Sequence, residues 1–466
     1  MNLNAVARAG CIKVKTPGVG YKLAHPLRKV TVNGLCTGCG TCAGICPNEA
    51  LKMRISKGLY VPNLSVSRCK KCGSCIEVCP GVSVDYHSLS NFTFGKVPEN
   101  RILGNVVACY YGHSADCKIR WNASSGGLVT GFLVYLLRQG IINGAVVTRM
   151  DAKNPFKPEV IIARTRDEIE SASQSKYVPV PLNTVIRSLL SESGRFAVVG
   201  LPCHIAGIRK AEMLEPKLRE KIFLHLGLFC GMNVSFAGTQ FILQKMGIGK
   251  NSVKRIDYRR HEFPGIMSVE LKDGSVRSIT HLEFDQLLFS AFSFFCPFRC
   301  TLCADPTSEF ADISFGTAWS RGLTSEKNSF CLSRTRVGDD LLQEAKSRKE
   351  ISIEKIDCER IIEAERRIIC FTKKSLSARL KIVRSIRKSV PYYNNLELRE
   401  PSIADYIRAL LTYSRMYLSS KRLIWSFLYQ ISGNYLVQTL TDKRARELRN
   451  RSNVAADSLQ ETGQGQ

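Results

Sequence analysis

Short apolar runs alternate with amphipathic stretches between residues 106 and 230. Val106, Val107 and Ala108 make the first run, and a helical pattern follows in Leu128, Phe132, Leu133, Leu136 and Leu137. Gly144 to Thr148, Val160 to Ala163, Arg195 to Val199 and Ile222 to Cys230 are apolar and strand-like. Such runs separated by helical stretches predict an α/β fold. Beyond Asn251, the segments Lys254 to Tyr258, Met267 to Leu271 and Val276 to Ile279, with Asp273-Gly274 as a turn, predict an antiparallel insertion. The C-terminal part predicts helix: Ile403, Ile407, Leu410 and Leu411 recur at the helix period, as do Leu423, Ile424, Phe427, Leu428 and Ile431. Residues 1–30 show no firm period and read as an irregular basic arm. Residues 86–105, with Asn91, Gly95, Pro98, Asn100 and Gly104, read as a linker, and the last dozen residues as disordered.

A chain of 466 residues exceeds what one core usually organises, so two or three domains are expected. The net charge of +27 raises the question of nucleic acid. Its distribution argues against that partner: residues 371–450 hold 16 Lys and Arg against 5 Asp and Glu, on amphipathic helix and with no nucleic-acid module signature. A basic surface of this kind suits an acidic redox donor or peripheral contact with a membrane face. The longest apolar stretch, Gly126 to Leu137, stops at Arg138 and Gln139, so no membrane span is expected.

The cysteines carry the chemistry. Cys36, Cys39, Cys42 and Cys46-Pro47 form one C-x2-C-x2-C-x3-C-P run, and Cys69, Cys72, Cys75 and Cys79-Pro80 repeat it 33 residues later. This run holds 4Fe-4S clusters in bacterial ferredoxins, the fourth cysteine of each copy ligating the other cluster. One cluster is then expected on Cys36, Cys39, Cys42 and Cys79, and a second on Cys69, Cys72, Cys75 and Cys46. Zinc, which also binds paired C-x2-C knuckles, would leave the third cysteine and the proline of each copy without a role. With eight of 19 cysteines committed as thiolates and no apolar signal-peptide core in MNLNAVARAGCIKVK, a reducing, cytoplasmic setting is expected. The protein is expected to move electrons.

Three further constellations stand out. Ser124, Ser125, Gly126 and Gly127 open a helix, where backbone N–H groups and the helix dipole suit a cofactor phosphate, although an ordinary N-cap and turn has the same composition. Cys203, in Gly200-Leu-Pro-Cys-His204, opens another helix, a position that lowers a thiol pKa. Cys296, Cys300 and Cys303, with Asp305 close behind, suggest ligation, either as a zinc knuckle short of a ligand or as a cubane completed by Cys203 or Cys230. Cys11, Cys109, Cys117, Cys331, Cys358 and Cys370 read mostly as small core residues, and His113, His204 and His225 as satisfied histidines.

Taken together, Ala123-Ser-Ser-Gly-Gly127, Ser175-Lys-Tyr177, Ala197-Val-Val-Gly-Leu-Pro-Cys203, Phe229-Cys-Gly231, Cys300-x2-Cys303-x-Asp305 and Ala311-Asp-Ile-Ser-Phe-Gly316 resemble the coenzyme F-420 hydrogenase/dehydrogenase beta-subunit family. The resemblance implies a larger α/β flavin-type domain over residues 100–335, behind a small ferredoxin-like domain at 31–85 and ahead of a basic helical extension at 336–450 and a tail at 451–466. It implies an oxidoreductase with FAD, in which the flavin converts single electrons to hydride chemistry on a small organic substrate such as a deazaflavin. A ferredoxin or a hydrogenase or dehydrogenase subunit would be the redox partner. By matching position, Ser124, Ser125, Gly126, Gly127 and Lys176 would serve the flavin, and Cys203, Cys230, Cys300 and Cys303 a third 4Fe-4S cluster. Thr317 stands where the family commonly has an acid. A non-catalytic electron-transfer subunit and a flavin-free docking protein are the alternatives.

Overall fold

The structure is a computed structural model that describes residues 25–261, 263, 265–280, 294–319 and 327–419. In the N-terminal module, α1 (Pro26–Val32) is followed by α2 (Thr41–Gly44), the hairpin β1 (Leu51–Ser56) and β2 (Leu59–Leu64), α3 (Ser74–Glu77), β3 (Ser83–Asp85) and α4 (Tyr86–Phe94). Two of these elements correct the sequence reading. Within the expected irregular arm, His25 accepts from the Leu27 N–H, Pro26 opens the helix, and Leu27 and Val30 are buried. Within the expected linker, Asp85 caps α4 by accepting from Ser88 N–H at 2.9 Å, and Gly95 at φ 71° ends it in the left-handed region. Residues 1–24 lie outside the described residues.

The larger domain contains β4 (Ala108–Ser114), α5 (Cys117–Asn122), α6 (Leu128–Arg138), β5 (Gly144–Met150), β6 (Pro158–Ala163), α7 (Arg166–Ser171) and α8 (Ile186–Ser191). It continues with β7 (Phe196–Gly200), α9 (Pro202–Leu214), α10 (Pro216–Lys221), β8 (Ile222–Leu228) and α11 (Phe236–Lys245). β9 (Val253–Arg260), β10 (Ile266–Leu271) and β11 (Val276–Ile279) form the expected antiparallel insertion. After β12 (Ile313–Thr317), β13 (Ser329–Ser333) and α12 (Arg336–Ser347) comes β14 (Ile351–Ile356).

Eight strands make one mixed sheet in the order β14-β4-β13-β12-β8-β7-β5-β6. Its centre, β12, β8, β7 and β5, is parallel. The fold is α/β as expected, but β14 lies beyond the expected boundary at residue 335, so the sheet reaches into the segment read as purely helical. Helices cover both faces, which is why the central strands read as unbroken apolar runs. On one face α6 buries Leu128, Phe132, Leu133 and Leu136. On the other, Ile186, Leu189, Ile208 and Ala211 pack against Val146 and Val198. Full burial of one such side chain contributes about 2 kcal/mol.

The last described elements are α13 (Cys358–Ala364), α14 (Arg366–Ile369), α15 (Leu376–Ser385), β15 (Tyr392–Asn394) and α16 (Ile403–Ser419). β15 turns back to pair in parallel with β3 of the N-terminal module. Residues 420–466, including the pattern at Leu423 to Ile431, lie outside the described residues. Cys109 and Cys358, read as core thiols, are instead joined in a disulfide with Cα atoms 5.5 Å apart. Ile356 pairs with Cys109 across β14 and β4, and that register brings the two cysteines together. Among the described residues no helix is long and apolar enough to cross a membrane.

Candidate functional site

The repeated sequence folds as a repeated structure. Gly40 (φ 87°) and Gly73 (φ 89°) occupy the same place in the two copies, each in the left-handed region before a short helix. In the first copy the Gly38 N–H donates to Cys36 Sγ at 3.4 Å, and in the second the Lys71 N–H donates to Cys69 Sγ at 3.4 Å. Backbone donors aimed at sulfur stabilise thiolates.

The thiols fall into two neighbourhoods that meet at Cys42 and Cys75. Burial, and then the nearby Cys39 and Cys79, push Cys36 up to about 12. Cys42 is also raised well above the usual thiol value, chiefly by burial, with Cys39, Cys79, Cys36 and Cys75 as its charged neighbours. Cys75, pushed up to about 11, is close to Cys72, Cys46 and Cys69. Cys46, Cys69, Cys72 and Cys75 line one cavity together with His25 and Lys70. Buried thiols that repel one another when ionised suit a cationic iron core, which would release their protons on binding.

Cys203, Cys230, Cys300 and Cys303 also come together. Cys203 begins α9 directly after β7, and Cys230 follows β8, so the two leave neighbouring parallel strands at their carboxyl ends, the usual location of sites in such sheets. The loop before β12 brings Cys300 and Cys303, and is tied to Cys230 by its N–H donating to Pro306 O at 2.9 Å. Burial raises Cys203 well above the thiol range, with Cys39, Cys230, Cys300 and Cys303 as its charged neighbours. Asn183 links the two groups, its N–H donating to Cys39 O at 2.8 Å and its side chain to His204 O, next to Cys203, at 2.9 Å. Cys296 is buried beside Cys300 and Cys230. Between the two groups lies Arg299, 4% exposed: Nη2 donates to Pro80 O at 2.9 Å and Nη1 to Leu302 O at 3.0 Å, while Nε is buried without a partner.

The Ser124–Gly127 loop lies over the same edge of the sheet. Both serine hydroxyls and the Gly126 N–H are already engaged: Ser124 Oγ donates to Arg259 O at 3.0 Å and accepts from Ser175 N–H at 2.9 Å. Ser125 Oγ lies 2.9 Å from Ser329 Oγ, which also accepts from Gly126 N–H at 3.0 Å. A Cβ on Gly126 would lie 2.5 Å from Gly112 O and 2.8 Å from Ser329 N, so this glycine is required by backbone packing. Lys176 is directed at the Ala172, Ser173 and Gln174 carbonyls of its own loop, and burial lowers its pKa to about 7.

What the sequence did not reveal is a group of cations around that loop. Arg259 Nη2 donates to Ser124 O at 2.8 Å, Lys327 Nζ to Trp121 O at 2.7 Å and to Ala123 O, and Arg120 Nε to Lys327 O at 2.9 Å. Burial, then Arg259, Arg260 and Arg120, lower Lys327 to about 8. Half-exposed Trp121 and Trp319 flank the group, and the Arg259 guanidinium lies 4.8 Å from the Trp319 ring centre. Crowded cations beside aromatic faces suit an anionic, conjugated ligand. Arg120 and Lys327 are 207 residues apart in sequence, so only the fold unites them.

The histidines are satisfied, as expected. His204 Nδ1 accepts from Leu201 N–H at 3.1 Å, and its Nε2 lies 3.0 Å from Val180 O. His225 lies between Glu212 (2.7 Å) and Asp312 (3.1 Å) in a buried network with Arg209.

Comparisons with known proteins agree with this architecture. Residues 35–82 match the 4Fe-4S dicluster domain, residues 109–187 the N-terminal family of the coenzyme F420 hydrogenase/dehydrogenase beta subunit, and residues 193–359 its C-terminal family. The coenzyme F420 hydrogenase subunit beta of Methanothermobacter thermautotrophicus is 31% identical over 255 residues, covering 52% of this chain and 83% of that protein. The coenzyme F420-dependent sulfite reductase of Methanocaldococcus jannaschii is 26% identical over 71% of this chain, which spans 49% of that longer protein. Among solved structures, a chain of the F420-reducing [NiFe] hydrogenase complex from Methanosarcina barkeri aligns with a TM-score of 0.49 and 24% identity over 63% of this chain and 98% of its own. With its sheet, its thiol sets and its matched segments in one order, the chain belongs to the coenzyme F420 hydrogenase/dehydrogenase beta-subunit family and carries a 4Fe-4S dicluster domain in front.

Proposed function

We propose that this chain is an iron–sulfur flavoprotein oxidoreductase that passes electrons between its repeat and an anionic, conjugated substrate at the carboxyl edge of the main sheet. The observation that carries this reading is the link through Asn183, whose N–H donates to Cys39 O at 2.8 Å and whose side chain donates to His204 O at 2.9 Å, which ties the loop of Cys39 to the helix start that carries Cys203. In this reading Cys36, Cys39, Cys42 and Cys79 hold one cubane, Cys46, Cys69, Cys72 and Cys75 a second, and Cys203, Cys230, Cys300 and Cys303 a third. The donor sets fit in kind, since each supplies four thiols, and Cys46, Cys69, Cys72 and Cys75 line one cavity. FAD, when bound, supplies the conversion between one-electron and two-electron chemistry.

The chain's own residues bind and orient. Lys327, Arg120, Arg259 and Arg260 hold the negative charge of cofactor or substrate, and Trp121 and Trp319 offer flat faces for a ring system. This fit rests on the cations, because the Ser124 hydroxyl and the Gly126 N–H are already engaged within the protein. Thr317, where an acid is common in the family, supports the anionic preference: its hydroxyl lies 3.5 Å from Arg259 Nη1, where a carboxylate would compete for that guanidinium. The names of the relatives make the deazaflavin F420 the first substrate to test.

The test is acid extraction of anaerobically purified protein followed by turnover assays with F420. About one FAD per chain, bleached on reduction, and substrate reduction by the isolated chain are expected. Full iron loading with neither retained nor rebound flavin would instead leave an electron-transfer subunit acting inside a larger complex.

A further inference from the structure

Of the twelve cysteines assigned to clusters, Cys72 alone is exposed. Cys69 beside it is half-buried, as is Cys36 of the other set, whereas Cys39, Cys42, Cys46, Cys75 and Cys79 are buried, so Cys72 sets the difference. The Cys46, Cys69, Cys72 and Cys75 set therefore lies nearest the surface of the module. Residues 25–84 contain eight Lys and Arg (Arg28, Lys29, Lys52, Arg54, Lys57, Arg68, Lys70, Lys71) and two acids (Glu49, Glu77), a surplus of +6. All eight cations are exposed. Glu49 is paired with Arg187 of the larger domain, which reduces its effect on the module's charge.

Several of these cations lie close to the exposed Cys72. Lys70 lines the cavity of this thiol set, with Lys71 and Arg68 next to it in the chain. Lys52 is on the outer face of β1 beside the lining residue Leu51, and Arg28 lies on the helix that His25 caps above Cys75. Val66, 78% exposed, supplies an apolar contact in the same loop. The opposite end of the hairpin is covered by the larger domain, where Phe236 N–H donates to Gly58 O at 3.0 Å. The module thus presents one open face, with an exposed ligand at its centre and positive charge around it.

We infer that this face is the docking site of an acidic one-electron carrier protein, which delivers its electron to the Cys46, Cys69, Cys72 and Cys75 centre. In each encounter the reduced carrier is oxidised by one electron and this centre is reduced by one, with no bond made or broken. Complementary charge steers the encounter, and the shallow position of Cys72 keeps the transfer distance short. The inference rests on the cluster reading of these four cysteines, and iron content tests that reading separately.

The experiment uses the full chain, loaded with iron, and a reduced acidic 2Fe-2S ferredoxin as the probe in stopped flow. The wild type should be reduced at a rate that falls steeply with ionic strength. R68E/K70E/K71E should lower the second-order rate at low salt by about ten-fold or more and flatten the salt dependence, while reduction by methyl viologen radical, a small cation, is not slowed. Because Lys70 and Lys71 adjoin ligands, R28E/K52E provides a second variant away from them, with a smaller fall in the same direction. Iron and sulfide equal to wild type in both variants would show that the centres persist. Equal rates for wild type and both variants, or a wild-type rate indifferent to salt, would overturn the assignment. So would a wild type that the carrier does not reduce but that binds anionic phospholipid vesicles through this face, which would make it a membrane contact.

Discussion

The backbone N–H of Asn183 donates to the carbonyl of Cys39 at 2.8 Å, so a residue of the larger domain fixes the loop of the first thiol set. The Asn183 side chain, fully buried, donates to Thr41 Oγ1 at 2.8 Å and to His204 O at 2.9 Å. One amide thereby joins the repeat to the helix that begins at Cys203. Close approach is required: a Cβ on Gly44 would lie 2.1 Å from Asn183 O, and one on Gly207 2.3 Å from Thr41 Oγ1. Asn183→Ala leaves both acceptors without their buried donor and should cost about 2 kcal/mol. The measurement is the thermal midpoint of the iron-loaded protein, and an unchanged midpoint would refute this role.

Cys300→Ser combined with Cys303→Ser should remove about four of about twelve irons and leave the repeat's complement. Anaerobic iron and acid-labile sulfide analysis checks it. Retention of all the iron would return these residues to structural thiols.

Flavin retention is expected to depend on cations more than on the glycine loop. Lys327→Met should lower extractable FAD several-fold with iron unchanged, because it removes charge from the Arg120, Arg259 and Arg260 group. Gly126→Val is a poorer probe, since it meets backbone of both β4 and β13 and should reduce soluble yield before it reports on any cofactor.

Arg299 is expected to tune potentials. Its buried, unpartnered Nε and its bond to Pro80 O place a cation between Cys79 and the Cys300–Cys303 loop. Arg299→Met should lower the potential of the third centre, by about 59 mV for a ten-fold change in its reduced-to-oxidised ratio at a fixed potential. Arg299→Lys should recover part of the shift in a redox titration followed by EPR.

Acid should loosen the helix that carries Cys203. Despite burial, which alone would raise it, Asp312 is held down at about 2 by Arg209 and by His225. A carboxylate depressed below its unfolded value of 3.8 contributes stability above that pH and loses it as pH falls through the folded value. The contribution is about 2 kcal/mol. Thermal midpoints should therefore fall between about pH 4 and pH 2 in the wild type, and much less in Asp312→Asn.

The repeat was legible because cluster ligation constrains spacing within one loop. The neighbourhood of Cys203, Cys230, Cys300 and Cys303 was legible through short strings at strand ends, where parallel sheets bring loops together. Arg120, Arg259, Arg260 and Lys327 were not, because their partners are backbone carbonyls far away in sequence and leave no periodic trace. Helix α4 was hidden by Asn91 and Gly95, which suggest a loop until Asp85 is seen to cap the helix. The Cys109–Cys358 bridge spans 249 residues and depends on the edge register of β14, which composition does not set.

Strand β15 gives the N-terminal module a second attachment. Tyr392 to Asn394 pair with β3, Asn394 Nδ2 donates to Asp85 at 2.6 Å, and Tyr393 packs on Tyr86. The module is thus held by the chain that leaves it and again by chain that returns from some 300 residues later. A domain fastened at two points cannot swing like a shuttling arm. The separation between its thiols and those of the larger domain is therefore set once, at folding, and not by any later movement of the module.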